Sequence, residues 1–291
     1  MKFTKMHGLG NDYIYVNCFE EKIDNPSELA QIVSDRHTGI GGDGLILITP
    51  SETADVRMRM FNADGSESEM CGNGIRCVAK YSYEHKLAEA GSPFSLPGEP
   101  TTFPASLNIE TGNGILTVGL VIDDRAKVQK VCVNMGQPIL VPKNIPVNFS
   151  GDKIVDQSIE ILGQELLMTC VSMGNPHAMF FCDNVESIEL EKLGPVIENH
   201  TLFPNRINVH FVQTDNPKEF TMRTWERGCG ITMACGTGAC ATCVAGVLTN
   251  QTERICTGHL PGGDLDLNWC QEDSCVYMTG PAVEVFEGTW S

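Results

Sequence analysis

Positive charge is scarce in this chain. Lys and Arg total 20 against 37 Asp and Glu, a net charge of −17 over 291 residues. That balance excludes a nucleic-acid partner, because a phosphate backbone is gripped by clustered cations. Also missing is any apolar run approaching the ~18 residues that a membrane-spanning helix needs. The opening "MKFTKMHGLGNDYIYV" alternates polar and apolar residues and has no basic stretch leading into an apolar one. The expectation is an untargeted cytoplasmic protein with no membrane partner. At 42% hydrophobic and 20% charged residues, the chain can bury a core in one large domain or two ordinary ones.

A zinc-type or disulfide framework is equally hard to find. The 13 cysteines are scattered along a chain long enough to fold without staples, so most are expected to be reduced and structural. The single Cys-x-x-Cys, Cys240 and Cys243, lies in "CGTGACATCVAGVL". With no second pair at zinc-ligand spacing, helix packing is its expected role, and no metal is expected.

What the chain does have is a cysteine directly before Gly-x-Gly, twice: "EMCGNGIRC" (69–77) and "MACGTGACA" (233–241). Cys71 and Cys235 are 164 positions apart, and the same offset recurs elsewhere. It lays Gly10-Asn11 on Gly174-Asn175, Tyr13 on His177, Leu29, Ile32 and Val33 on Leu193, Val196 and Ile197, Gly44 on Asn208, and Phe61-Asn62 on Trp225-Glu226. One gap-free register through five segments indicates a duplicated layout. Period-2 stretches such as "DVRMRMF", "EFTMRTW" and "AVEVFEG" read as strands. "PSELAQIVSDR" and the segments after each CGxG read as helices. Each half is then a strand-rich α+β unit with a helix entering at its CGxG turn. The join falls near 121–127, and the final strand can return to the first half, giving 1–124 plus 280–291 and 125–279. The segment 89–106, dense in Gly, Pro, Ser and Thr, is expected to be an exposed loop.

A cysteine ahead of Gly-x-Gly and a helix places sulfur where unpaired N–H groups and the positive end of the helix dipole favour anions. Its thiol is expected to ionise more easily than usual. The glycines let backbone N–H groups close on a carboxylate. Either motif alone reads equally well as a buried cysteine beside a tight turn. Two copies, brought together by pseudo-twofold packing, suit stereoinversion at one carbon: one thiolate removes the Cα proton and the opposite thiol returns one. The N–H groups would stabilise the developing charge. His177 and Glu226 are candidates to hold the thiol protons, and Arg227 could fork onto a second substrate carboxylate. Asn11, Asn62, Asn175 and Asn208 sit at repeat-matched positions. Each alone reads as a turn former, and the four together read as a polar pocket.

At these residues the chain resembles the diaminopimelate epimerase family. "NADGSESEMCGNGIR" (62–76) matches that family's Asn-x-Asp-Gly-Ser, four residues, Cys-Gly-Asn-Gly-x-Arg signature at every fixed position. "KMHGLGNDYI", "DRHTGIGGDGLI", "SMGNPHA", "FPNRINV" and "ERGCGITMACGTGACA" are similar to its other blocks, so the likeness covers nearly the whole chain. It implies two pseudo-symmetric α/β domains, each a mostly antiparallel sheet wrapped around a central helix. It also implies interconversion of LL- and meso-2,6-diaminopimelate without pyridoxal phosphate or metal, in lysine and peptidoglycan-precursor synthesis. By the same resemblance Cys71 and Cys235 are the bases, supported by His177 and Glu226. The reacting carboxylate meets Gly72-Asn73 and Gly236-Thr237, and the amino group lies near Asn11. The far end of the substrate reaches Asn62, Asn175, Asn208, Glu226 and Arg227. The resemblance further implies a homodimer, with Phe286 in the interface.

The chain departs from the pattern at Gly44, where some members carry a substrate-contacting Gln. Cys229 and Ile231 make the "GCGIT" turn more apolar, and the 89–106 segment is longer than usual. The alternatives are a related racemase for proline, hydroxyproline or histidine, a binding protein with the same cleft, and a thiol redox protein using Cys240 and Cys243. Arg227 and the four Asn residues favour a substrate with a second carboxylate.

Overall fold

The structure, a computed structural model, describes residues 1–68 and 71–291. Backbone packing divides it into two units. One comprises Met1–Asn134 and Thr279–Ser291, and the other Met135–Met278.

The first unit begins with a hairpin of β1 (Lys2–Gly8) and β2 (Asn11–Asn17). Its two turn residues, Leu9 and Gly10, are both left-handed, with φ of 58° and 85°. That turn type follows the twist of the flanking strands. Helix α1 (Pro26–Ser34) opens on a proline, whose fixed φ suits a first helical turn. β3 (Gly44–Thr49) then runs parallel to β2 with Tyr13 opposite Gly44, and β4 (Val56–Asn62) returns antiparallel with Phe61 opposite Leu45. After the two-residue β5 (Glu67–Ser68) comes α2 (Gly72–Glu84).

A small hairpin of β6 (Phe94–Ser95) and β7 (Thr102–Phe103) leads into the meander β8 (Ala105–Thr111), β9 (Gly114–Ile122) and β10 (Val128–Asn134). β8 lies parallel to β4. The chain's last strand, β20 (Val283–Thr289), pairs antiparallel with β1. Helix α2 touches β1, β3, β4, β8, β9 and β10, so the sheet curls around it.

The segment 89–106 is therefore more than an exposed loop. Leu96 and Phe103 are buried, and the Phe94 and Phe103 rings lie 5.8 Å apart against Gly119, where a Cβ would come within 2.7 Å of both. Its glycines and prolines shape the turn, while its aromatic residues anchor it.

The second unit repeats this order. β11 (Gln157–Ile161), β12 (Gln164–Ser172) and β13 (Pro176–Phe181) are antiparallel neighbours, and α3 (Leu190–Glu198) follows. β14 (Asn208–Asn216) runs parallel to β13 with His177 opposite Asn208, and β15 (Glu219–Glu226) returns with Trp225 opposite Val209. Then come β16 (Gly230–Thr232), α4 (Gly236–Leu248), β17 (Ile255–Leu260), which is parallel to β15, and β18 (Gly263–Trp269). β19 (Val276–Pro281) leads back to the first unit. Helix α4 is apolar on every side and packs against β12, β13, β14, β17 and β18, as a helix with no solvent face must. Cys240 and Cys243 are fully buried in it.

Equivalent side chains build both cores. Ile14, Val16, Leu45 and Leu47 pack against Val33 of α1. Ala178, Phe180, Val209 and Phe211, each 164 positions later, pack against Ile197 of α3, itself 164 after Val33. Burial contributes about 1.5–3 kcal/mol for each large side chain. The fold is thus α+β with two pseudo-symmetric units, as the repeat and the resemblance both imply. Among the described residues no helix is long and apolar enough to cross a membrane.

Candidate active site

Each CGxG cysteine is the N-cap of a buried helix. Cys71 caps α2 in extended conformation (φ −139°, ψ 121°), and its sulfur accepts from the Gly74 amide at 3.4 Å. Cys235 caps α4 in a similar conformation (φ −119°, ψ 101°). The extended cap turns the first amides of the helix toward the space beside the sulfur, where an anion is favoured.

Around Cys71 the polar groups are set by a carboxylate. Asn11, the first residue of β2, donates its Nδ2 to Asp43 Oδ2 at 2.7 Å, and the Asp43 carboxylate also accepts from the Asp12 amide and from Arg36. An ionised carboxylate accepts only, so the Asn11 amide is fixed with Oδ1 facing the other way. There it accepts from Asn73 Nδ2 at 3.2 Å and from the Cys71 thiol at 3.7 Å. Arg76, fully buried, ties the turn together by donating to the Gly72 carbonyl, Asn73 Oδ1 and the Pro281 carbonyl. Its charge reinforces the positive potential at the start of α2.

Behind Asn11, Lys5 is nearly buried and pairs with Asp12 at 2.5 Å, while Arg36 reaches the other oxygen of Asp12. Burial alone would raise the Asp12 carboxyl. Arg36 and Lys5 outweigh it and hold the group below its ordinary range. Asn62, by contrast, is occupied in its own turn, donating to Ser66 Oγ at 3.0 Å.

Cys235 sits in a denser network. Its sulfur lies 3.6 Å from Thr237 Oγ1, which accepts from Asn175 Nδ2 at 3.3 Å. Asn175 Oδ1 is 2.9 Å from His177 Nε2, His177 Nδ1 is 2.9 Å from His210 Nε2, and His210 Nδ1 is 2.9 Å from Thr224 Oγ1. Asn208 accepts from the Arg227 amide and donates to the Pro176 carbonyl, and the Arg227 guanidinium donates to the Asn205 carbonyl. Both imidazoles are fully buried. Burial and the neighbouring charged forms of His210 and Arg227 push His177 well below the usual histidine range, and burial pushes His210 down to about 3. Both rings are neutral.

The expectation of an easily ionised thiol is reversed at Cys235. Burial raises its pKa well above the ordinary value, and the carboxylate of Glu226, which the thiol hydrogen-bonds, raises it further. The Thr237 hydroxyl and the Gly238 amide only partly offset them. A helix N-terminus lowers a thiol pKa where water still reaches it. Here Cys235 is 5% exposed. Cys235 is therefore a thiol hydrogen-bonded to Glu226.

Asn11, Cys71, Gly72 and Asn73 are therefore assembled in one unit, with Asn62 held apart in its turn. Asn175, His177, Glu226, Cys235 and Thr237 are assembled in the other beside Gly236, with Asn208 and Arg227 joined next to them. Sequence reading missed Asp43, which orients Asn11 and lies in the quoted "GIGGDGLI". It also missed His210 and Thr224, whose only signal is their alternation with Asn208 and Glu226 on β14 and β15.

His177, His210 and Cys235 bring two ring nitrogens and a sulfur within 4.8 Å of one another. The nitrogens, at 2.9 Å, are closer than the roughly 3.3 Å that two ligands of one tetrahedral zinc keep. A shared proton fits the gap.

The fold is that of a class of α+β proteins with paired, sheet-wrapped helices. It is similar to a phenazine biosynthesis protein of the PhzF family from Bacillus anthracis (TM-score 0.69, 16% identity, covering 99% of this chain and 98% of that one). It is also similar to a probable proline racemase from Agrobacterium radiobacter (TM-score 0.66, 14% identity, covering 100% and 92%). A family model described as diaminopimelate epimerase matches residues 3–141 and 169–285. The diaminopimelate epimerase of Acetivibrio thermocellus is 54% identical over 288 residues, 99% of this chain and 98% of that protein. The chain belongs to the diaminopimelate epimerase family.

Proposed function

We propose that this chain is an isomerase interconverting LL- and meso-2,6-diaminopimelate by proton exchange between two cysteines, with no pyridoxal phosphate or metal. The observation that carries the reading is that Cys71 and Cys235, 164 positions apart in a duplicated chain of this family, each cap a buried helix at its first amides. The two units, Met1–Asn134 with Thr279–Ser291 and Met135–Met278, are the products of a duplication, and each supplies one sulfur to the reaction. The substrate's α-carboxylate is held by amides at Gly72-Asn73 and Gly236-Thr237, which also stabilise the charge that develops as Cα is deprotonated. Asn11 takes the α-amino group. Asn62, Asn175, Asn208, Glu226 and Arg227 read the distal end, which excludes smaller amino acids.

In one direction the thiolate on one face takes the Cα proton and becomes a thiol, while the thiol opposite donates a proton to the other face and becomes a thiolate. The two sulfurs exchange roles at each turnover. Glu226 accepts the Cys235 proton when that sulfur must act as the base, and His177 belongs to its polar support. The enzyme acts in the cytoplasm as a homodimer with Phe286, 48% exposed on β20, at the interface, and supplies lysine and peptidoglycan precursors.

The test is incubation with LL-diaminopimelate in heavy water. Deuterium should enter the epimerised carbon, and proline, hydroxyproline and histidine should turn over poorly or not at all. Faster exchange on one of those amino acids would transfer the activity to a related racemase. Binding without exchange would leave a non-catalytic protein.

A further inference from the structure

We infer that His210 is a positioning residue for this reaction: with Thr224 behind it, it holds His177 protonated on Nε2 and so directs a line of hydrogen bonds, through Asn175 and Thr237, onto the Cys235 sulfur. The inference rests on the reading of Cys235 as one of the two acid/base groups.

The direction of the line follows from the orientation of the Asn175 amide. Asn175 Nδ2 donates to Thr237 Oγ1, which leaves the Thr237 hydroxyl proton free for the Cys235 sulfur 3.6 Å away. The Thr237 hydroxyl is then the donor there. The same orientation turns Asn175 Oδ1 toward His177, which must donate from Nε2. A neutral imidazole carries one donor and one acceptor. His177 Nδ1 therefore accepts, His210 Nε2 donates to it, and His210 Nδ1 accepts the Thr224 hydroxyl proton. Every donor in the series points toward the sulfur.

Burial makes the arrangement rigid. His177 and His210 have no exposed surface and Thr224 is 3% exposed, so water cannot supply a substitute donor. Gly238 lets His210 come this close, since a Cβ there would lie 2.3 Å from its Cε1. The equivalent of His210 in the other half is Ile46, which is apolar and packs on Gly74. The two sulfurs are therefore served differently: Cys71 faces the Asn11 acceptor, and Cys235 faces a donor at the end of a buried relay. The relay offsets part of the burial that opposes thiolate at Cys235.

The direct test is ¹H–¹⁵N NMR of the histidine-labelled wild-type protein, with the resonances assigned from a His210→Phe variant. The relay requires the His177 proton on Nε2, and finding it on Nδ1 overturns the inference. His210→Phe keeps the ring volume but donates nothing. It should lower kcat about tenfold, the worth of one buried hydrogen bond, and move the thiolate limb of the pH–rate profile upward. His210→Gln, whose amide can donate to His177 Nδ1, should restore most of both. Wild-type kcat and an unshifted profile in a folded His210→Phe variant would also overturn the inference. If that variant fails to fold, the wild-type spectrum decides. Absence of diaminopimelate turnover by the wild type would end the proposed function, while the spectrum would still decide the relay.

Discussion

Gly238→Ala is the substitution whose outcome the structure fixes most tightly. The added methyl would stand 2.3 Å from His210 Cε1, 2.8 Å from His210 Nε2 and 3.0 Å from Cys235 Sγ, against an ordinary contact of 3.4–4 Å. His210 must therefore retreat by more than an ångström, which breaks its 2.9 Å bond to His177. Overpacking costs about 1–3 kcal/mol. A buried donor left without its partner costs about 1–3 kcal/mol more. Replacing glycine by alanine in a helix returns only about 0.5–1 kcal/mol. The net is a destabilisation of roughly 1–5 kcal/mol, or about 2–20 °C in Tm at the 2–4 °C per kcal/mol expected for a unit of this size.

The same change made in a His210→Ala background meets no ring. There only the helix-propensity term and the 3.0 Å contact with Cys235 Sγ remain, and Gly238→Ala should cost about 1 kcal/mol or less. Thermal and urea unfolding of the wild type, the two single variants and the double variant complete the cycle. Coupling below about 0.5 kcal/mol, the range of independent sites, would refute the packing argument. Gly74→Ala is the built-in comparison, because its methyl meets only the Ile46 Cδ1 tip, at 2.8 Å. A flexible tip can rotate away, so the cost should stay near 1 kcal/mol.

Cys71→Ala and Cys235→Ala should each abolish epimerisation while leaving unfolding transitions close to wild type; near-wild-type turnover in either would remove the two-base mechanism. Asp12→Asn removes the counter-ion of Lys5, whose side chain is 9% exposed and keeps the Gly41 carbonyl as its acceptor, and should destabilise by about 3–5 kcal/mol; adding Lys5→Met should recover much of that in urea titrations. Asp43→Ala frees the Asn11 amide to turn over, and should lower kcat/KM for diaminopimelate with a stability change under about 1 kcal/mol, since Asp43 is partly exposed. Because His210 titrates near 3 in the fold but near 6.5 unfolded, its contribution to stability is complete above about pH 6.5. It is lost as pH falls toward the folded value, at up to about 1.4 kcal/mol per unit. Urea midpoints at pH 7.5 and 5.5 should therefore differ less in His210→Phe than in the wild type.

Several features were legible without coordinates for identifiable reasons. The 164-residue register survives because turn glycines, cap cysteines and core-facing apolar residues answer to local backbone and burial demands, so their spacing repeats when the layout repeats. Helices after each CGxG motif could be read from small residues following an extended cap. The segment 89–106 misled because glycine and proline set the turn signal while Leu96 and Phe103, only two of its residues, supply the anchoring.

The charge state of the site was a different matter. Local sequence predicts how a helix N-terminus acts on a thiol, but the Cys235 pKa is governed by desolvation and by Glu226, and both are properties of the packed unit. His210 carried no signal of its own. It meets His177 because β13 and β14 run parallel with His177 opposite Asn208, and it meets Cys235 because Gly238 lets α4 approach that strand.

The amino-acid sequence by itself determined the repeated α+β layout, the family and the pair of cap cysteines, because those follow from periodicity, backbone freedom and spacing along the chain. Tertiary structure alone decided which groups face each sulfur, which protons point toward it and how far water is excluded. Those depend on distances between residues 30 to 60 positions apart and on a dielectric environment that exists only once the sheet has closed around its helix.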